Sequence, residues 1–268
     1  VRRLKTELIT YSLEADIALI GLNRTAKRNA IDDDLLKGLA DAAKAAVQEA
    51  KVAIIYGHGA HFCAGLDLAK HAGKTPAEAF TTSRQWHAAF DLIQRGEIPF
   101  ICALQGAVIG GGIELAAATH IRIADETAFF ALPEGRRGLF VGGGGSVRVA
   151  RLMGLARMTD LMLTGRVLPA QEGLQANLVQ YVVGKGDSLS KAKELAARIA
   201  ENALLSNFAI LQALPRIQDM AQDDGLFVES LMSAFTQTTP QAAQRIDEFL
   251  QKRAKPAASK SGKPIRSK

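Results

Sequence analysis

Two glutamates twenty residues apart carry the strongest chemical signal in this chain. Glu114 stands in Gly110-Gly111-Gly112-Ile113-Glu114-Leu115, and Glu134 stands in Ala131-Leu132-Pro133-Glu134-Gly135. Their neighbours are strongly apolar, so both carboxyls are expected near a packed interior, where a charge is costly without a task or a partner. A matched pair of carboxyls is a common arrangement for general acid/base work. A third element lies upstream in Phe62-Cys63-Ala64-Gly65-Leu66-Asp67, whose small residues let a substrate approach backbone N–H groups closely. The glycine triplet adds donors of its own. At a helix N-terminus it would expose free N–H groups and the positive end of the dipole, suited to an oxygen that gains charge during reaction.

Each signal also has a plainer reading. The triplet is equally a tight strand-to-helix turn, Glu114 a capping residue in the first helical turn, and Glu134 a surface turn residue. The glycines lack the G-x-G-x-x-G spacing of a dinucleotide fold, and neither glycine run is followed by Gly-Lys-Ser/Thr. Cys63 neighbours the small-residue loop but has no evident His partner, which makes it structural.

These residues need elements to position them. Asp16–Leu22 reads as a strand ending at Asn23-Arg24, and Asp32-Asp33-Asp34 opens a helix where the dipole favours negative charge. Lys51–Gly57 and Ile98–Gly106 are short apolar runs that suit buried strands. Ile113–Ala118 reads as helix, Ile121–Ala124 as a strand with one face exposed, and Thr127–Leu132 as another strand. Helices are expected at Gly145–Met153 and Ala156–Leu163, and a strand at Leu178–Val183. Alternating strands and helices indicate an α/β body with parallel strands. After Asp187 four helical segments follow, Asp187–Asn202, Ser206–Gln222, Asp224–Gln237 and Pro240–Arg253. Leu226, Phe227, Leu231, Phe235 and Phe249 give that end more apolar surface than a few helices bury alone, so it should pack on the body or on another subunit.

The chain has 268 residues, 48% of them apolar, enough for a large core. No apolar run approaches a membrane span, and the basic start has no apolar h-region behind it, so a secretory signal is not expected. Two cysteines make no disulfide framework, and the expected compartment is the reducing cytoplasm. The net charge of +6 invites a nucleic-acid partner, but seven basic and no acidic residues fall within 252–268. Without that stretch 26 basic residues face 27 acidic ones, so the charge belongs to a solvated tail and no nucleic-acid partner is expected.

The motifs together resemble the enoyl-CoA hydratase/isomerase (crotonase) superfamily. They are Asn23-Arg24 with Asn29-Ala30, then Phe62 to Asp67, then Gln105 to Ala116, then Leu132-Pro133-Glu134 followed by Gly142-Gly143-Gly144-Gly145-Ser146. The resemblance runs from about Glu14 to Lys252. It implies an α/β spiral of ββα repeats with a C-terminal helical oligomerisation region, giving a core at 1–200, helices at 201–254 and a basic tail at 255–268. It implies trimers or hexamers. It also implies a thioester oxygen held by the N–H groups of Ala64 and Gly111, with Glu114 and Glu134 holding one water. Because many isomerases keep only the equivalent of Glu134, both glutamates favour a 2-enoyl-CoA hydratase. Isomerisation, thioester hydrolysis, hydration coupled to bond cleavage, and a non-catalytic RNA-binding member are the alternatives.

No permanent cofactor and no metal are implied, only coenzyme A as part of the substrate. The resemblance puts Lys27, Arg28, Leu66, Asp67 and Leu68 along the CoA path. It puts Phe140 at the acyl pocket, and Phe249 and Lys252 on the CoA of a neighbouring subunit. The segment from Ala69 to Gly96 lines the acyl chain in the family; here it holds His71, Trp86, His87 and Phe90. Trp86 and Phe90 read as core, and His87 as a possible polar contact. The chain departs from the family at Thr25 and at Val141, where proline is usual, and the lost proline loosens the loop after Glu134.

Overall fold

The computed structural model describes residues 7–254. They divide into two compact units between Leu211 and Gln212. The first unit is built on a six-stranded sheet. Strand β1 (Ile9–Glu14) pairs antiparallel with β2 (Ile17–Leu22). Helix α1 (Asp33–Glu49) crosses to β3 (Val52–Gly57), which runs parallel to β2. Asp32 caps α1 by accepting from Leu35 N at 3.0 Å, and Asp33 and Asp34 follow in its first turn. The short α2 (Leu68–His71) and the long α3 (Pro76–Gln94) then lead to β4 (Phe100–Leu104), parallel to β3.

A second, three-stranded sheet rises from the first. Strand β5 (Ala107–Ile109) opens directly into α4 (Gly111–Ala118), which returns to β6 (Ile121–Asp125) beside β4. Strand β7 (Phe129–Ala131) lies parallel to β5 and ends two residues before Pro133. Helices α5 (Gly145–Met153) and α6 (Leu155–Thr164) follow, then β8 (Leu168–Pro169), which completes the small sheet. Helix α7 (Ala170–Gln175), strand β9 (Tyr181–Val183) and helix α8 (Ser188–Ala200) close the α/β body. The large sheet has the order β1-β2-β3-β4-β6-β9.

Both faces of the large sheet are covered, so its central strands read as continuous apolar runs. On one face Ala18, Ile20, Leu22, Ala53 and Ile55 pack with Leu35, Leu39 and Phe90. On the other, Leu19, Val52, Ile54, Ile101 and Ile123 pack with Ala192, Leu195 and Ala196 of α8. This corrects the sequence reading of Ile121–Ala124 as half-exposed. Arg122 is 3% exposed, and its guanidinium donates to Leu178 O and Thr119 O. Its polarity suggested solvent, but backbone carbonyls satisfy it inside the fold. Strand β1 and helix α3, which the sequence reading did not name, complete the frame.

The C-terminal segment consists of α9 (Leu204–Ile217), α10 (Gln222–Gln237) and α11 (Pro240–Ala254). Within the second unit Leu226, Phe227, Phe235 and Phe249 are exposed.

Candidate active site

A cavity of about 340 Å³ in the first unit is lined by residues from four segments. These are the turn Ala64-Gly65-Leu66 with Leu68, one face of α3, the start of α4 with Glu114, and the stretch from Glu134 to Gly143. The two glutamates identified in the sequence therefore face one space.

The turn before α2 is held by the segment before α1. Ala64 N donates to Arg28 O at 3.0 Å, Ile31 N to Gly65 O at 2.7 Å, and Asp67 N to Ile31 O at 2.9 Å. Arg24 pins the same turn from below, its guanidinium 2.7 Å from Asp67 and 3.2 Å from Asp32. That cation holds the Asp67 carboxyl below the usual carboxylate range. The pattern leaves one peptide facing the other way. Leu66 N–H makes no hydrogen bond among the described residues, and it lies 3.5 Å from where a Cβ on Gly111 would stand. Gly111 N–H, the first of α4, is likewise unpaired there, as the opening donors of a helix are.

Ala64 is therefore corrected as a donor. It lines the cavity, but its N–H is spent on Arg28 O, and the converging free pair is Leu66 N–H and Gly111 N–H. Gly110 makes the tight entry to α4, with φ 52° and ψ −116°, a conformation open to glycine. Its own N–H donates to Ala131 O at 2.9 Å, tying the donor to the small sheet.

Glu114 does not cap its own helix. Its Oε1 accepts from Gly143 N at 2.7 Å and Gly145 N at 2.8 Å. A Cβ on Gly145 would come within 2.9 Å of that carboxyl, which explains the glycine run at this place. Arg148 secures the loop, donating to Gly143 O at 2.8 Å and to Asp91 at 2.6 Å. Burial pushes the Glu114 carboxyl above its ordinary range, while the two N–H groups and Arg148 pull it back. Glu134 precedes a 3-10 turn, Gly135–Arg137. Its Oε2 is buried and makes no hydrogen bond among the described residues. Burial raises its pKa first, and the charge of Glu114 raises it further.

The other sequence candidates divide. Leu66, Leu68 and Phe140 line the cavity, Phe140 with most of its ring exposed. Asp67 does not line it; it is buried against Arg24 and caps α2 by accepting from Ala69 N. Lys27 and Arg28 are exposed and are not among the lining residues. Phe249 belongs to the second unit, and the side chain of Lys252 lies outside the described residues. His87 does not reach the cavity and instead approaches Arg84 at 3.4 Å. Cys63 is buried, its thiol pushed up to about 12, an unreactive state. Trp86, read as core, is both buried and a wall of the cavity. Among the described residues no group of three or more His, Cys, Asp or Glu is placed to hold a metal, and no helix is long and apolar enough to cross a membrane.

The α/β body thus brings paired carboxyls and two unpaired backbone donors to one cavity. Residues 12–259 match the family model of enoyl-CoA hydratase/isomerase, and the chain belongs to that family. It is 33% identical to a 2,3-dehydroadipyl-CoA hydratase of Escherichia coli, over 92% of this chain and 97% of the relative. It is 30% identical to the enoyl-CoA hydratase EchA19 of Mycobacterium tuberculosis, over 88% and 91%. A crystal structure of a putative enoyl-CoA hydratase from Rhodopseudomonas palustris superposes with a TM-score of 0.89 at 47% identity, over 92% of this chain and 96% of that one. The fold is the crotonase fold with a C-terminal helical region.

Proposed function

We propose that this chain hydrates the 2,3 double bond of a 2-enoyl-CoA thioester. The observation that carries this reading is the convergence of two unpaired N–H donors and two carboxyls on one cavity. The thioester oxygen accepts from Leu66 N–H and Gly111 N–H. Glu114 takes a proton from a water, whose oxygen bonds to C3 of the substrate. The electron pair of the double bond moves toward the thioester oxygen as an enolate. The two donors bind that oxygen more strongly as its charge grows, which lowers the barrier. Glu134 gives its proton to C2. Proton exchange with solvent then resets the pair. Glu114 suits the base role because two N–H groups and Arg148 support its anion. Glu134 suits the acid role because no donor meets its buried oxygen.

The relatives named as enoyl-CoA hydratases support the same reaction. Coenzyme A enters with the substrate, and the residues named supply every group the reaction needs. The exposed apolar side chains of α10 and α11 support self-association as part of this reading. The test is loss of the enoyl-thioester absorbance band with crotonyl-CoA and formation of 3-hydroxybutyryl-CoA. Release of free thiol with the double bond intact would replace hydration with thioester hydrolysis.

A further inference from the structure

We propose that Trp86 closes the acyl pocket beside the reacting carbons and restricts this site to short acyl groups; this rests on the acyl-CoA reading above. Ala79, Thr82, Ser83 and Trp86 stand at i, i+3, i+4 and i+7 on α3 and form one face toward the cavity. Trp86 is the deepest of them, 4% exposed. A Cβ on Gly111 would stand 2.6 Å from its Cζ3, and a Cβ on Gly143 would stand 2.9 Å from its Cε3. The indole therefore touches both the peptide that carries one oxyanion donor and the loop that holds Glu114. A thioester carbonyl on the donors puts C2 and C3 between the carboxyls, so carbons beyond C3 grow toward that ring.

The ring is fixed. Phe90, fully buried, backs it edge-on at 5.4 Å. Helix α3 is anchored by the Thr75–Glu78 capping box, by Ser83 Oγ donating to Gly142 O at 2.6 Å, and by Asp91 paired to Arg148. A wall so backed cannot move aside for a longer chain without disturbing packed neighbours.

Trp86 is the only tryptophan in the chain, so its fluorescence reports this wall directly. The experiment titrates the full chain with CoA, butyryl-CoA and octanoyl-CoA, following tryptophan emission and measuring Kd by calorimetry. Butyryl-CoA is expected to change the emission where free CoA does not, and to bind roughly tenfold or more tightly than octanoyl-CoA, the scale on which pockets discriminate methylenes. Trp86→Ala, and Trp86→Leu should the first variant not fold, are expected to reverse the order in calorimetry. Octanoyl-CoA binding as tightly as butyryl-CoA to the unaltered protein would overturn the proposal, as would an unchanged order in a folded variant. These saturated thioesters cannot be hydrated, so the result stands apart from the absorbance assay that tests the reaction.

Discussion

Glu114 sits on a helix, and two backbone donors from the glycine loop grip one of its oxygens at 2.7 and 2.8 Å. Glu134 sits at a turn, and its buried Oε2 meets no donor among the described residues. Both face one cavity. The same side chain is thus held by two loop donors in one place, and in the other is supported only by its own backbone and the charge of Arg137. Burial raises both pKa values, but only at Glu114 do hydrogen bonds oppose the rise from outside the residue itself. The difference teaches how a fold distinguishes two copies of one residue type: burial raises both carboxyls, and loop peptide donors oppose that rise at only one of them.

The largest expected effect tests whether both roles are needed. Glu114→Gln and Glu134→Gln should each lower kcat for crotonyl-CoA by about 10²–10⁴, the usual contribution of a positioned acid or base. Butyryl-CoA affinity, measured by calorimetry, should stay within a few-fold because neither amide disturbs the donors. Full activity in either variant would reduce the pair to one working carboxyl.

The next effect opposes the two sites in sign. Glu114→Ala leaves the Gly143 and Gly145 N–H groups without their partner, and an unsatisfied buried group costs about 1–3 kcal/mol. The denaturation midpoint should fall accordingly. Glu134→Ala removes a buried oxygen that has no donor, so the midpoint should hold or rise. Equal losses in the two variants would show that the supports are not different after all.

Most of the frame was legible in the sequence because it follows from local pattern. The acidic run at Asp32–Asp34 did open α1, and the apolar runs around Ile54 and Ile101 are buried strands. The carboxyl pair was legible because an apolar neighbourhood makes a glutamate conspicuous. What stayed hidden is backbone direction. Ala64 and Leu66 differ by two residues, and only the pairing of Ala64 N with Arg28 O, 36 positions earlier, shows which peptide is free. Arg122 was misjudged for the same reason, since its partners Thr119 O and Leu178 O are carbonyls that no side-chain pattern announces. Asp67 reads as available for substrate in the sequence, but Arg24 beside it takes up its carboxylate. The Glu114–Gly143 contact joins residues that sequence alone had linked only through the family pattern.

The smallest effect is the most direct measure of the comparison. The Glu134 carboxyl is raised from an ordinary value of 4.5, in part by the charge of Glu114. A carboxyl whose pKa is higher in the folded chain binds more protons there, so its contribution to stability is full below about pH 4.5 and declines as pH rises through the folded value. The difference in midpoint between the unaltered protein and Glu134→Gln should therefore change with pH in that direction. Glu114→Gln removes the neighbouring charge, so Glu134 should titrate at lower pH in that variant, read by NMR of 13C-labelled glutamate carboxyls. A Glu134 titration unmoved by Glu114→Gln would mean that the carboxyls lie outside each other's field, and two groups so separated could not hold one water between them.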